Sequence, residues 1–268
     1  MEGFQSLSIQ QVLMASILIL ANGFASVLLK LNLGKTLIVG GVRAAVQLSL
    51  LGYILSWVFS QKNILHIALI IIVMTLSAAH TAAKRSKYQY SGLFIHSLCS
   101  ICLSSWALGI SSLNLIINIE PWYQAQYLIP FLGMLLGNSL TGISLGIDHL
   151  TTAMTANQEK IETLISLGAS SKEAAKDYVQ DAIRMGIIPI TNSMTVAGIV
   201  SLPGMMTGQI LAGADPFQAA LYQILILFLV AASTFFGTFT IVWFGYRQCF
   251  NPLHQFSTAH LKLESPSK

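Results

Sequence analysis

The chain has 268 residues, 54% of them hydrophobic and 9% charged, with a formal net charge of +4. A mean hydropathy of +0.69 excludes an ordinary soluble domain, where roughly a quarter of residues are charged. Apolar runs of about 20 residues, enough to cross a bilayer as helices, mark it instead as an all-α polytopic integral membrane protein.

Seven such runs follow one another. The first, Leu7–Leu29, is too long and its start too acidic (Glu2, without Lys or Arg) for a cleaved signal peptide. Gly34-Lys35-Thr36 comes next, but a phosphate-cradling loop needs a glycine five positions earlier, where Leu29 stands. The chain is therefore expected to carry no ATPase site of its own. The second run, Leu37–Phe59, holds Arg43 and Gln47 one turn apart, either a structural pair or an arginine reaching back to the interface. In the third, Ile64–Ala83, His80 is expected to be a hydrogen-bonded interior residue. The fourth, Leu93–Leu113, contains His96-x-x-Cys99-x-x-Cys102. That spacing puts three metal-ligating types on one helix side, yet one helix rarely closes a metal site and a cysteine in a span serves as a small hydrophobe. Tyr127–Ile147, Ile187–Leu211 and Leu221–Trp243 complete the set. Residues 1–250 thus form one transmembrane domain with a polar loop over 148–186, and 251–268 form a tail expected to be disordered. Two cysteines within one span and Cys249 beyond the last suggest no disulfide framework.

Lys and Arg near span ends are retained in the cytoplasm. With loops alternating sides, twelve of the 14 Lys and Arg fall on one side and only Lys62 on the other, Arg43 lying within a span. The expected orientation in the cell (inner) membrane has the N-terminus outside and the C-terminus inside. The positive balance reflects this topology and implies no nucleic-acid partner.

Nine of the 24 charged side chains crowd into residues 159–184 of the polar loop. Gly168 can end a helix in the left-handed conformation. Ser170 followed by Glu173 fits a capping box that starts the next helix. Ala175, Val179, Ala182 and Ile183 then recur at helical spacing, with Lys172, Lys176, Asp177 and Asp181 between them. The loop reads as two amphipathic helices joined by a tight turn and projecting into the cytoplasm.

The stretch Glu162-Thr-Leu-Ile-Ser-Leu-Gly168-Ala169-Ser170 resembles the EAA-type loop of ABC transporter permeases, in which an acidic residue precedes a glycine by six positions. Pro189 arrives later than the proline of the importer pattern. A wider resemblance rests on GNSLTGISLGIDHL (137–150), AIRMGIIPITNSM (182–194) and SLPGMMTGQILAGADP (201–216). These are similar to the Fet-type permease family, described as iron-export ABC permeases of bacteria with plant relatives linked to aluminium tolerance. The resemblance implies a permease subunit that acts as a homodimer and exports iron or another metal. It also implies a separate ATPase subunit, which would bind the ATP and magnesium. Glu162, Leu167, Gly168, Ala169, Ser170 and Glu173 would then form the coupling surface. The same machinery with another cargo, such as a nucleotide sugar, stays open, as does a proton-driven secondary transporter.

Polar groups in lipid are costly and face a partner or a cavity. Asn138, Asn192, Gln209 and Gln223 are the candidates for a translocation pathway. Met194 and Met205, eleven apart, would share a face of one continuous helix with Met206 adjacent. Their thioethers suit soft metals or are plain packing material; no metal ligands can be assigned. Gly133/Gly137, Gly142/Gly146 and Gly204/Gly208 each bare a helix face for close approach. Pro189 and Pro203 are expected to kink the sixth span, with Pro203-Gly204 as its hinge.

Overall fold

The computed structural model describes residues 8–31, 33–61, 63–117, 120–251, 255–256 and 262–263. Glu2, Leu7 and Lys62, named above, lie outside them. Ten α-helices run along the described chain: α1 (Ile9–Leu28), α2 (Gly34–Gln61), α3 (Ile64–Arg85), α4 (Leu93–Ile101), α5 (Ala107–Ser112), α6 (Ala125–Ala156), α7 (Gln158–Ser166), α8 (Ser171–Val196), α9 (Gly204–Leu211) and α10 (Pro216–Gln248). The protein is an all-α polytopic membrane protein, and six helical stretches are long and apolar enough to cross a bilayer. Five of them match expected spans directly. The sixth, Leu93–Ile117, joins α4 and α5 through a π-helical turn at Cys102–Trp106 and ends in another at Leu113–Ile117.

The chain divides into two compact units at Asn63. In the first, α1 and α2 form a hairpin. A Ser8–Gln11 capping box starts α1, and the helices approach closely where Gly34 leaves room: a Cβ there would lie 3.0 Å from the Gly23 carbonyl. Both helices expose Leu, Ile and Val around most of their circumference, as helices solvated by lipid do.

The second unit is organised around α6 and α10. Ile143, Ile147, Leu150 and Met154 repeat at steps of three and four along α6 and are fully buried. Glycines on α10 receive this ridge: a Cβ at Gly237 would crowd Ile143, and one at Gly245 would run into Ile147. On its other side α6 carries Gly142, which meets Gly186 of α8 and Thr238 of α10. Backbones thus come together where side chains are smallest, the way helices associate without a hydrophobic drive between them.

Three boundaries differ from the sequence reading. Helix α6 continues past Ile147 to Ala156, so residues 148–156 of the polar loop are the end of that helix. The sixth expected span, Ile187–Leu211, is two pieces of helix: α8 ends at Val196, a non-helical turn follows over 197–203 with Gly198 at φ 81°, and α9 starts after Pro203. Pro203 caps α9 rather than kinking a continuous helix, so the break precedes the expected hinge. Within the tail, Phe256 is buried against Phe250 at 5.6 Å between rings, and β2 (Lys262–Leu263) pairs antiparallel with β1 (Tyr88–Gln89). The tail therefore folds back onto the bundle at these points.

Candidate functional site

The polar connection is a helical hairpin made by local signals. Helix α7 ends in a Schellman arrangement. Gly168 N–H donates to the Ile165 carbonyl at 2.9 Å and Ala169 N–H to the Leu164 carbonyl at 3.0 Å, with Gly168 at φ 94°. This conformation favours glycine because it lacks a Cβ. Ser170 then caps α8. Its Oγ accepts from Glu173 N–H at 3.3 Å, and the Glu173 carboxylate accepts from Ser170 N–H at 2.9 Å and Ser170 Oγ–H at 2.7 Å. These bonds hold the Glu173 pKa below its ordinary value, because they favour the ionised carboxylate.

The hairpin is solid underneath and exposed at its tip. Ile161, Ala174 and Ala175 are buried in the same core as Met154 and Cys249. Glu162, Leu167, Gly168, Ser170 and Glu173 are exposed, while Ala169 is half-buried. Leu167 is 80% exposed, a large apolar side chain on an otherwise polar tip. Glu162 is held by Gln158, whose Nε2 donates to it at 2.8 Å. No break separates this tip from the membrane segment. Helix α8 runs 26 residues from the capping box to Val196 with Pro189 inside it, about 39 Å of helix.

At the opposite end of the bundle a cavity of about 430 Å³ opens between the second π turn, the start of α6, α9 and the start of α10. Leu113 and Ile117, Gln126, Tyr127 and Met134, Met205 and Gln209, and Tyr222 and Ile226 line it. No charged side chain is among them. Thioethers, amides and phenols face an otherwise apolar wall. The Gln209 Oε1 is buried and accepts no hydrogen bond from the described residues.

Of the residues singled out from sequence, Met205 and Gln209 therefore share one cavity. Met206 lies outside its lining; its N–H donates to the side chain of Gln223 at 3.3 Å. Met194 is half-buried on α8, and the helix break puts it on a different rod from Met205, so the shared-face argument fails. Asn138 and Asn192 are exposed on α6 and α8, and Asn138 Nδ2 donates to its own helix at the Met134 carbonyl, 2.9 Å away. His96 is engaged with Tyr90 Oη at 3.1 Å and stacked on Phe244 at 4.8 Å. Among the described residues no three His, Cys, Asp or Glu side chains converge as metal ligands.

Sequence reasoning missed a buried serine cluster. Ser105, Ser139 and Ser233 come from three helical segments, all fully buried, with Oγ separations of 3.2, 3.2 and 2.7 Å. The π turn over Cys102–Trp106 widens the helix there, and such turns are frequent at functional sites. Its last residue, Trp106, donates through Nε1 to Thr75 Oγ1 of α3 at 3.1 Å. The available signal was the Ser-Ser pair inside an apolar run.

Comparison with known proteins adds a second line. The family described as "Uncharacterised protein family (UPF0014)" matches residues 9–250. The chain is similar to the "UPF0014 membrane protein slr1647" of Synechocystis, 40% identical over 226 residues that cover 84% of this chain and 87% of that one. It is similar also to the "Probable iron export permease protein FetB" of Escherichia coli, 34% identical over 233 residues, 87% of this chain and 88% of the relative. The "Protein ALUMINUM SENSITIVE 3" of Arabidopsis thaliana is 28% identical over 228 residues, 85% of this chain and 82% of its own length. No solved structure matches the chain.

Proposed function

Because the chain belongs to the UPF0014 family of membrane proteins, we propose that it is the permease subunit of an ABC exporter. It works as a homodimer with a separate ATPase subunit, and it moves iron or another metal out of the cytoplasm. The hairpin carries this reading: an exposed Leu167 on a capped, rigid turn is what a docking knob needs, and α8 joins it without interruption to the membrane segment. The name borne by the Escherichia coli relative supports the cargo. ATP and magnesium belong to the partner subunit. ATP-driven closure of the partner pulls Leu167, α8 transmits the displacement, and the turn over 197–203 converts it into movement of α9. That helix carries Met205 and Gln209, so the cavity is remade with each cycle. Gly204 and Gly208 on α9 have open space where a Cβ would stand, which suits the approach of a second copy. Orientation follows the Lys/Arg asymmetry, with hairpin and C-terminus cytoplasmic.

Two variants test the two halves of the proposal. Leu167→Glu should abolish co-purification with the ATPase subunit while the permease remains folded; undiminished association removes the docking role. Met134→Leu with Met205→Leu keeps volume and costs below about 1.5 kcal/mol in packing. If thioethers meet the cargo, metal-stimulated ATPase activity falls in that variant while assembly survives. Unchanged stimulation makes the methionines packing material.

A further inference from the structure

A second concavity, about 670 Å³, lies at the hairpin end between the first half of α8 and the last turns of α10. Lys172, Lys176, Val179 and Ile183 stand along α8 at steps of four, three and four, so they form one stripe. Phe239, Trp243 and Tyr246 form the facing stripe of α10. Arg247 sits over the Trp243 ring with its guanidinium 4.8 Å from the centroid. We infer that this groove is a binding site for one anionic phospholipid of the leaflet facing the hairpin, with its phosphate at Lys172 and Lys176 and an acyl chain along Ile183 and Phe239.

The groove is graded in the way a phospholipid is graded. Its cationic end is where α8 leaves the hairpin, and its apolar end lies deeper along both helices. From Lys172 to Ile183 the rise is about 16 Å, close to half the roughly 30 Å hydrocarbon thickness, which is one leaflet. Trp243, Tyr246 and Arg247 occupy the last turns of the spanning helix α10, the depth at which aromatic and basic residues meet headgroups. Lys172 and Lys176 are exposed, and neither has a carboxylate in ion-pairing range among the described residues, whose ion pair is Arg184–Asp181. Glu173 also lines the mouth, but its carboxylate is occupied by Ser170. The polybasic mouth thus lacks an anion that the membrane itself supplies. A soluble phosphate would satisfy the lysines and leave the aromatic wall without a use.

Native mass spectrometry of the purified protein, titrated with phosphatidylglycerol or with phosphatidylcholine of the same acyl chains, tests the inference. Two basic side chains correspond to a preference on the order of thirtyfold for the anionic lipid. Lys172→Gln with Lys176→Gln should bring phosphatidylglycerol down to the phosphatidylcholine level, whereas Arg184→Gln, a cation off the groove, should leave the preference intact. Trp243→Ala should weaken retention of both lipids. The site is overturned if the double lysine variant keeps the preference, or if Arg184→Gln lowers it equally. Displacement by inorganic phosphate at matched concentration overturns it too, since the ligand would then be a free anion. So does a double variant that loses only association with an ATPase subunit, because the groove would then be a protein interface. The readout needs neither ATPase nor cargo, so it stands or falls separately from the exporter reading.

Discussion

Replacing Gly186 by Ala should destabilise the membrane bundle more than the same change at any glycine picked out by sequence spacing outside α6. Gly186 of α8 is buried at the point where α6, α8 and α10 meet. A Cβ there would stand 2.7 Å from the Gly142 carbonyl oxygen and would collide with the Thr238 side chain. A threonine can rotate, but a helical carbonyl cannot yield unless its helix moves. Separating the helices by 0.5–1 Å forfeits about a quarter to a half of each dispersion contact at the crossing, and overpacking of this kind typically costs about 1–3 kcal/mol. Gly137→Ala and Gly52→Ala are the controls, because a Cβ at either position meets nothing within 4 Å. These should be neutral or stabilising by up to about 1 kcal/mol, as alanine is the better helix former. Thermal unfolding of the purified protein in one detergent, read by loss of a buried-cysteine protection signal at Cys249, compares the three. Thr238→Ala in the Gly186→Ala background should recover only part of the loss, since the Gly142 carbonyl remains in the way. Equal stability of Gly186→Ala and Gly137→Ala would refute the three-helix crossing.

Other consequences concern the hairpin and the topology. Gly168→Ala should cost roughly 1–2 kcal/mol of local turn stability through its left-handed backbone alone, because no neighbour crowds the position; hydrogen exchange at Ala169 and Ser170 should rise while the bundle's melting temperature holds. The capping box should be pH-dependent. The folded pKa of Glu173 is depressed, so its stabilisation is present above the unfolded pKa and is lost as pH falls through the folded value. The difference in helix protection between parent and Glu173→Ala should accordingly be full at pH 7 and vanish in acid; a difference that persists there contradicts the hydrogen-bond origin. In a background without the native cysteines, Ala214→Cys should react with an impermeant thiol reagent applied outside whole cells and Leu167→Cys should not; the opposite pattern reverses the orientation.

The spans and the hairpin were legible in the sequence because their causes are local. Hydropathy sums along the chain, so Leu221–Trp243 or Ile64–Ala83 needs no knowledge of neighbours to be recognised as a helix in lipid. Ser170, Glu173 and Gly168 are equally local: each bonds or turns within a few residues of itself. What the chain does across long separations was hidden. Ser105 meets Ser233 over 128 residues, and Ser139 meets it over 94. Spacing marked Gly204/Gly208 and Gly142/Gly146 alike, yet only the second pair meets another helix within this chain, and its partner Gly186 has no glycine four away. An apolar run also cannot announce that its helix stops at Val196 and resumes at Gly204, because the turn between them is as apolar as a span. In lipid the sequence decides which segments are buried in the membrane, but every helix there is apolar all round. Which faces touch is then set by close fit between small residues, and only the tertiary structure holds that information.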